Sequence, residues 1–506
     1  MERRKFIGGR CGDAILGKYL ERASVLLRTV GKSHCRAGVS DGTIGEAILQ
    51  ENRTTAGPVP PIAHRYFPRL SRSAEVVARY PVALETQLSV DRPAGPPPSL
   101  RRASWMLAGV LSAGLAAVTP AAAASDPSLI AQGQYVSRLA DCGACHTRAG
   151  GTPFAGGLAI GTPFGSVTST NITPDRETGI GGWSDEDFYR AVTDGIGPGG
   201  EYLYPAMPFT SYTKMTRSDV LAVKTYLFSL PPVHAPRAPN GLAFPFDIRS
   251  TMIAWRALYF HSGVYQSDPK RSAEWNRGAY LVEGPGHCGE CHSPRNILGA
   301  TEAQHSLAGG RDENWLAPNI SADPRWGVGN RSVSDIVTFL KTGAHDTQGV
   351  AFGPMAEVVH DSLSYVATAD LQAIAVFLKA GPERTSSPAD KVTSGNDLQH
   401  GQTLYLANCS KCHQADGKGF PGAIANLAAN PAVTAAQPDD IINIVLIGQR
   451  GVGTYGTMPS FAAALSDRDI ADVANYLRSG WGNSTPMNAT PALVASLRGK
   501  ATTGQK

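Results

Sequence analysis

The residues with the most specific chemistry in this sequence form three copies of a Cys-x-x-Cys-His segment. The copies are Cys142-Gly-Ala-Cys145-His146, Cys288-Gly-Glu-Cys291-His292 and Cys409-Ser-Lys-Cys412-His413. Two thiols three positions apart lie on one side of a helical turn, where both can form thioethers to the vinyl groups of one porphyrin. The histidine that follows can supply the fifth ligand of the iron. Each segment, called a haem word below, therefore predicts one covalently attached haem c, and the chain is expected to carry three.

Zinc sites and redox dithiols also use Cys-x-x-Cys pairs. A zinc site would need a second Cys or His pair near each copy, and none follows any of the three. A redox dithiol would not require the histidine. Of the 8 cysteines six lie in the haem words, and only Cys11 and Cys35 remain, so the sequence offers no disulfide framework beyond the N-terminal hundred residues. Haem attachment is therefore the preferred interpretation.

A methionine is the expected sixth ligand of each iron, because a thioether is a common second axial donor in electron-carrying haem. Each haem word is followed by a methionine beside a proline, in a segment that the sequence predicts to be a loop between two helices. These methionines are Met207, Met355 and Met458. In the second copy the proline precedes the methionine, and His345 and His360 are alternative ligands there. Met215 is a weaker competitor of Met207.

The elements that must position these residues recur three times along the chain. A first helix carries a glycine just ahead of each haem word, at Gly133, Gly278 and Gly401. A middle helix is predicted at 184–196, 332–343 and 438–448, and the first two begin with a Ser-x-x-Asp capping box. A closing helix repeats an Asp seven residues before an aromatic residue, so that both lie on one stripe. We expect the closing helix to cross the first helix at the glycine, with the aromatic side chain beside the crossing.

This pattern predicts an all-α protein made of three tandem class I cytochrome c-like domains, each wrapped round one haem. Charged residues are only 17%, with 55 Gly and 36 Pro, which is typical of small loop-rich domains. The predicted organisation is an Arg-rich extension at 1–100, a signal peptide at 101–124, domain 1 at 126–230, a linker and helix at 231–271, domain 2 at 272–382, a linker at 383–394, domain 3 at 395–482 and a disordered tail at 483–506.

The N-terminal part of the chain has the features of an export signal preceded by an extension. Arg101 and Arg102 introduce an apolar run at 105–118, and a row of alanines follows. The run is shorter than the roughly 20 residues that span a membrane, so it predicts a cleavable secretory signal. Its position favours a true start downstream of residue 1; a cytoplasmic extension with an uncleaved anchor is the alternative. Residues 1–102 carry a formal charge of +8 and the rest of the chain −4, so a nucleic-acid partner is not expected.

Beyond the haem words, several phrases resemble the tri-haem cytochrome c subunit of bacterial membrane-bound dehydrogenases, the family that accompanies alcohol, gluconate, sorbitol, fructose and aldehyde dehydrogenases. They are Asn171-Ile-Thr-Pro-Asp175, Leu203-Tyr-Pro-Ala-Met-Pro208, Gly284-Pro-Gly-His-Cys288, Ala317-Pro-Asn-Ile320 and Gly353-Pro-Met-Ala-Glu357. The resemblance covers about residues 126–482.

The resemblance implies an electron relay in the periplasm, at the outer face of the cytoplasmic membrane. A catalytic dehydrogenase subunit, which is a flavoprotein, a quinoprotein or a molybdenum enzyme, would supply electrons, and ubiquinone or a terminal oxidase would accept them. Several such subunits are held to the membrane by apolar C-terminal segments, and 482–506 contains none. Peripheral membrane association through the partner or through the apolar segment 244–260 is the expected alternative. That segment is otherwise expected to pack between domains.

The sequence contains no nucleotide loop, nucleophile constellation or paired-carboxylate site, so no catalytic residue is predicted and the chain is expected not to be an enzyme on its own. Two other interpretations remain open. The chain could be a stand-alone periplasmic multihaem electron carrier, or a haem enzyme with one open iron, for which the second repeat is the candidate.

Overall fold

The computed structural model describes residues 126–312, 314–346, 349–384 and 398–504, with side chains up to residue 500. The predicted extension 1–100, the predicted signal 101–124 and most of the predicted linker 383–394 lie outside these residues. The described helices are α1 (Pro127–Leu139), α2 (Cys142–His146), α3 (Asp185–Asp194), α4 (Phe209–Tyr212), α5 (Arg217–Phe228), α6 (Met252–Tyr259), α7 (Ala273–Glu283), α8 (Gly289–His292), α9 (Val333–Thr342), α10 (Pro354–Asp361), α11 (Thr368–Ala380), α12 (Leu398–Asn408), α13 (Ser410–His413), α14 (Pro431–Thr434), α15 (Asp439–Ile447), α16 (Asp467–Ser479) and α17 (Pro491–Gly504).

Short antiparallel strands lie in the loops between these helices. They are β1 (Ala159–Thr162), β2 (Gly165–Thr168), β3 (Gly241–Leu242), β4 (Gly310–Asp312), β5 (Trp315–Ala317), β6 (Ala344–His345) and β7 (Gly349–Val350), paired in the order β1-β2-β3, β4-β5 and β6-β7. The predicted helical class is therefore confirmed in its main feature. The strands were not predicted, because runs of two to four residues have too little periodicity to stand out from a loop.

The first and closing helices of each repeat cross at a glycine. A Cβ added to this glycine would lie only 1.9 to 2.3 Å from a backbone carbonyl oxygen of the closing helix. The pairs are Gly133 of α1 with Ala222 of α5, Gly278 of α7 with Ala373 of α11, and Gly401 of α12 with Asp472 of α16. The Cβ atoms of Tyr226, Phe377 and Tyr476 lie beside these same three glycines. The predicted crossing is confirmed at all three positions, and no side chain fits between the two backbones.

The middle helices begin where the capping pattern predicts. Ser184 caps α3 and accepts a hydrogen bond from the Asp187 N–H at 3.1 Å, while the Asp187 carboxylate accepts one from the Ser184 N–H at 3.0 Å. Ser332 caps α9 by accepting from the Asp335 N–H at 3.0 Å. Gly195 and Gly343 end these helices in the left-handed conformation, which a glycine adopts without strain. Middle helices of defined length therefore follow from local sequence.

Each repeat has its own apolar core, and a further cluster joins the first repeat to the second. In that cluster Met252 and Trp255 of α6 pack with Tyr204 and Phe209 of the first repeat and Ala300 of the second. The Trp255 ring nitrogen also donates a hydrogen bond to the Leu298 carbonyl at 3.0 Å. One side of the segment 244–260 is therefore buried between repeats, as expected from the sequence.

The C-terminal segment is not the disordered tail that composition predicted. Residues Pro491–Gly504 form α17, and its Val494 and Leu497 side chains are buried in the core of the third repeat. Arg498 donates to the Asp467 carboxylate at 2.7 Å, which fixes α17 to the start of α16. The prediction was wrong because an apolar pair at i and i+3 is inconspicuous in a polar, Gly- and Ala-containing sequence, yet it is enough to bury one face of a helix.

The third repeat contacts the second through buried carboxylates at the start of α15. Asp440, 2% exposed, accepts a hydrogen bond from the Leu316 N–H of β5 at 2.8 Å. Asp439 accepts from the Arg311 guanidinium of β4 at 2.7 Å. Burial raises the pKa of the Asp440 carboxyl to about 7, and the neighbouring Asp439 carboxylate adds to the shift while Arg311 opposes it.

We expect Gly278→Ala to destabilise the second repeat by about 1–3 kcal/mol, the usual cost of overpacking. The reason is that its Cβ would meet the Ala373 carbonyl oxygen. Chemical unfolding followed by circular dichroism measures the effect. Gly499→Ala in α17, where an added Cβ meets no atom within 4 Å, is the matched control and should be neutral or slightly stabilising. Equal behaviour of the two variants would contradict the close crossing.

We expect the stability of the contact between the second and third repeats to fall as the pH rises from about 4 to about 7. In this window the folded protein keeps a proton on Asp440 that the unfolded chain releases near the ordinary pKa of 3.8. Asp440→Asn should abolish this slope, whereas Asp439→Asn should retain most of it. The unfolding midpoint of the third repeat, measured across this pH range, tests the expectation. A slope that survives Asp440→Asn would show that another group titrates.

Candidate haem sites

Each haem word lies on a single helical turn at the end of the first helix of its repeat. The first word is α2 itself, while Cys288 and Cys409 are the N-caps of α8 and α13. In the first repeat the residue before the word, Asp141, breaks the preceding helix by adopting a left-handed conformation with φ 48°. In the second repeat α7 already ends at Glu283, and His287, the residue before the word, has φ 38°. This break lets a new turn start, on which both thiols and the imidazole are presented together.

The histidine of each word is oriented by a backbone carbonyl. The Nδ1 atoms of His146, His292 and His413 lie 2.7, 2.7 and 3.0 Å from the carbonyl oxygens of Thr170, Pro318 and Ala425. A proton on Nδ1 leaves Nε2 as the atom with a free lone pair, which is the arrangement that metal-ligating histidines usually have. Burial lowers the pKa of all three imidazoles, although the bonds to the carbonyl groups oppose it. The histidines are thus held neutral and ready to ligate.

The residue that orients each carbonyl was not predicted from the sequence. In all three repeats the accepting carbonyl belongs to the residue just before an asparagine: Asn171, Asn319 and Asn426. The side-chain oxygen of each asparagine accepts a hydrogen bond from the N–H two residues later, at 2.9, 2.8 and 2.8 Å. This Asx turn fixes the backbone that carries the carbonyl. The recurrence of Asn followed by Ile or Leu, 25, 27 and 13 residues after the histidine, was the available signal.

The haem-word cysteines are free thiols, and burial raises the pKa of five of them. None of the six in the described residues forms a disulfide. Burial raises the pKa of the Cys142 and Cys291 thiols to about 12, and of the Cys145, Cys288 and Cys409 thiols to about 11. Redox-active dithiols have lowered thiol pKa values. This environment therefore agrees with the interpretation that the pairs serve as covalent attachment points.

The three predicted methionine ligands pack against the same cores as the haem words. Cys142 and Met207 both contact the core of the first repeat, Cys288 and Met355 that of the second, and Cys409 and Met458 that of the third. Met207 follows a turn and Met458 pairs with Gln449 in an isolated bridge. Met355 lies in the first turn of α10 rather than in the predicted loop, because Pro354 stands at a helix N-terminus, where its fixed φ favours a helix start.

The competing side chains have other surroundings. Met215 is 2% exposed and belongs to the core of the first repeat. The Nε2 atom of His345 lies 3.5 Å from the Asp335 carboxylate, and exposed His360 lies 2.7 Å from that of Asp361. His287 has its Nδ1 atom 2.9 Å from the Pro285 carbonyl oxygen.

These residues fit a covalently attached haem. Each repeat offers two thiols on one turn, an imidazole with Nε2 available, and a thioether side chain on the same core. The folded chain and its haem words therefore define a c-type cytochrome, and the family model for cytochrome c matches residues 398–481. That match covers the third repeat.

Curated relatives extend the similarity over most of the chain. The chain is 38% identical over 427 residues to the cytochrome c subunit of alcohol dehydrogenase (quinone) from Gluconobacter oxydans, covering 78% of this chain and 87% of the relative. It is 36% identical over 422 residues to the gluconate 2-dehydrogenase cytochrome c subunit of Pantoea cypripedii, covering 78% and 95%.

A longer relative shares the same similarity over part of its length. One of the subunits of nicotinate dehydrogenase from Pseudomonas putida is 40% identical over 426 residues, but the chain spans only 35% of it. With these matches, the chain belongs to the family of cytochrome c subunits of membrane-bound dehydrogenases. It is an electron-transfer subunit rather than a catalytic one.

We expect Met458→Ala to open the iron of the third repeat, so that about one haem in three binds carbon monoxide while the unaltered protein binds none. The optical difference spectrum of the reduced protein measures this binding. Met215→Leu, a substitution of similar volume in the core, is the control. If Met458→Ala binds no more carbon monoxide than Met215→Leu, Met458 is not a ligand. Met355→Ala, with and without His345→Ala, applies the same measurement to the second repeat.

Proposed function

We propose that this chain is a tri-haem electron relay in the periplasm, at the outer face of the cytoplasmic membrane. It takes electrons from a catalytic dehydrogenase subunit that contains a flavin, a quinone cofactor or a molybdenum cofactor, and it passes them to ubiquinone or a terminal oxidase. The observation that carries the proposal is the threefold recurrence of a haem word whose histidine is oriented by a backbone carbonyl and whose predicted methionine partner packs against the same core.

Haem c bound at these positions supplies a one-electron iron couple. The protein side chains hold and orient this group. The imidazole of each word and the methionine of each repeat would be the two protein ligands of the iron, which would leave no position for a substrate. The bonds from His146, His292 and His413 to backbone carbonyl groups hold each imidazole in the orientation that ligation requires. The names of the relatives support a dehydrogenase as the electron donor, since each is described as a subunit of such an enzyme.

The purified protein should contain three haems that are all low-spin and unreactive. Pyridine haemochrome analysis gives the count, and optical spectra with added carbon monoxide or cyanide report open irons. Three unreactive haems per chain are expected because each repeat supplies both axial ligands. Fewer than three haems would contradict the relay as proposed. Rapid binding at one haem would instead support a haem enzyme.

We further propose that the chain associates peripherally with the membrane through five exposed apolar side chains, which we call the apolar patch: Phe244, Ile248, Ile253, Leu258 and Ile297. Phe244 is 79% exposed, Leu258 63% and Ile297 92%. The segment 244–260 carries Arg249 and Arg256 against one acidic residue, Asp247, so its small positive charge suits an anionic lipid surface. Within the described residues no helix is both long and apolar enough to cross a membrane.

Replacing Phe244, Ile253 and Leu258 by serine should weaken binding to phosphatidylcholine–phosphatidylglycerol vesicles severalfold, because each removes exposed apolar surface that would enter the lipid interface. Cosedimentation of the haem-loaded protein with vesicles measures the effect. Serine at Leu406 and Phe420, which are 47% and 48% exposed in the third repeat, is the control. Unchanged vesicle binding, combined with lost copurification of a dehydrogenase, would assign the patch to the partner.

A further inference from the structure

The first and second repeats hold each other by a reciprocal pair of hydrogen bonds. The Tyr135 hydroxyl of α1 donates to the Asp370 carboxylate of α11 at 2.6 Å. The Tyr280 hydroxyl of α7 donates to the Asp219 carboxylate of α5. Each tyrosine stands two residues after the crossing glycine of its own repeat, and each aspartate lies in the first turn of the other repeat's closing helix. We call these two bonds the Tyr–Asp latch.

Further hydrogen bonds surround the latch in the same arrangement on both sides. Gln132 donates to Asp219 at 2.9 Å, and Arg277 donates to Asp370 at 2.8 and 2.7 Å. Each of these donors stands one residue before its crossing glycine and contacts the aspartate of its own repeat. The N–H groups of Thr216 and Ala367 each lie 3.3 Å from the tyrosine hydroxyl of the other repeat. Each contact at the latch is therefore matched by an equivalent contact in the other repeat, so that the two repeats are related by approximate two-fold symmetry here.

The charges at the latch favour its closed form. Burial raises the pKa of the Tyr135 hydroxyl to about 12, and the Asp370 carboxylate adds to that shift. Burial alone would also raise the pKa of Asp370, but hydrogen bonds from Arg277 and Tyr135 outweigh it, and the pKa is lowered. A neutral phenol donating to a charged carboxylate is a charge-assisted hydrogen bond, which is stronger than one between neutral groups.

Within the described residues the third repeat shows no equivalent latch. Thr403 occupies the position of the two tyrosines. The aspartate equivalent to Asp219 and Asp370 is Asp469, which lies 3.6 Å from His400 of its own repeat. His400 also lies 3.1 Å from Asp472. Here the polar residue before the glycine, His400, contacts the closing helix of its own repeat.

The haem words of the first two repeats lie close to each other. Thr210 and Ser211, which follow Met207, donate to the Glu290 carboxylate inside the second haem word at 2.8 and 2.9 Å. In the other direction, Asp141 next to the first haem word lies near Glu357 and Asp361 of α10, the helix that carries Met355. The methionine-bearing segment of each repeat therefore borders the haem word of the other.

A second carboxylate and a core residue link the same two words. Asp312 of β4 lies close enough to Cys145 and Cys291 to raise the pKa of both thiols, after the larger effect of burial. Leu139, two residues before Asp141 of the first repeat, is buried in the core of the second repeat with Leu281. The Tyr212 hydroxyl donates to the Ala140 carbonyl at 2.7 Å and its ring contacts His287 edge-on at 5.5 Å.

We propose that Tyr135 and Tyr280 are positioning residues. Their reciprocal hydrogen bonds to Asp370 and Asp219 set the separation of the first two haem sites, so that these two sites form one electron-exchanging pair. The third site is joined to this pair by independent contacts. The inference rests on the proposed function, since each word must carry a haem. In the exchange, one electron leaves one iron and reduces the neighbouring iron. No bond forms or breaks and no proton moves, and the electrons come from the dehydrogenase.

The test is the double variant Tyr135→Phe, Tyr280→Phe in the full haem-loaded chain. Pulsed electron paramagnetic resonance of the oxidised protein measures the magnetic interaction between neighbouring low-spin irons, which depends steeply on their separation. We expect a strongly interacting pair in the unaltered protein, and an interaction weakened severalfold and spread over a range of distances in the double variant. Phenylalanine keeps the ring packing, so only the hydroxyl bonds are lost.

The matched control is Asp469→Asn, which alters the equivalent aspartate in the repeat that lacks the latch. It should leave the interaction of the first two irons unchanged. Tyr135→Phe alone should have a smaller effect than the double variant, and provides a second test if the double variant folds poorly.

If either tyrosine variant retains three haems and its circular dichroism while the interaction between the first two irons is unaltered, the positioning role is overturned. A shift of equal size in Asp469→Asn would overturn it as well. A haem count below three in the unaltered protein would instead be a failure of the proposed function.

Discussion

The contact on which the rest of each repeat depends is the crossing of two helices at a glycine. Because the backbone of the closing helix lies directly on Gly133, Gly278 or Gly401, the distance between the two helices cannot vary by the width of a side chain. The first helix leads into the haem word, and the closing helix starts with its aspartate in the first turn. The crossing therefore determines where the two cysteines and the histidine lie relative to the core that packs against the methionine. In the first two repeats it also places the residue before the glycine next to that aspartate. The tyrosine two residues after the glycine contacts the aspartate of the other repeat and so forms the Tyr–Asp latch.

A second constraint acts on the histidine, and it comes from the backbone rather than from side chains. A small repeat has few polar side chains to spare for orienting an imidazole, so a loop carbonyl takes this role. Its position depends on the Asx turn at the following asparagine. The side-chain amides of Asn171 and Asn319 also donate to carbonyl groups of the segments that follow the closing helices, Val233 and Arg384. The connecting segments thus help to hold the loop that orients the histidine, which explains why proline-rich connections lie close to the sites.

The sequence was informative where a residue type has one physical use. A repeated Cys-x-x-Cys-His word, a glycine at a helix crossing and a serine at a helix start each follow from sterics or covalent chemistry, and the folded chain has them at the expected places. It was less informative where a backbone group acts, because any residue can supply the carbonyl that Thr170, Pro318 and Ala425 provide. It failed for α17, whose buried face consists of two apolar residues in a polar segment. The latch was visible only as a recurrent Tyr and a recurrent Asp, since the exchange between repeats depends on tertiary structure.

The third repeat is stabilised in a different way from the first two, which share the Tyr–Asp latch. It lacks the tyrosine, and its core is enlarged by α17 instead. Arg478 of α16 is fully buried and donates to the carbonyl groups of Pro486, Val433 and Ala436 at 3.0, 2.9 and 3.1 Å. Burial lowers the pKa of this guanidinium to about 10, and a buried charge of this kind is tolerated only when its donors are satisfied. These bonds tie the segment before α15 and the segment before α17 to the closing helix. The third repeat therefore obtains from its own segments the support that the first two obtain from each other, and polar side chains make its hydrogen bonds to the second repeat.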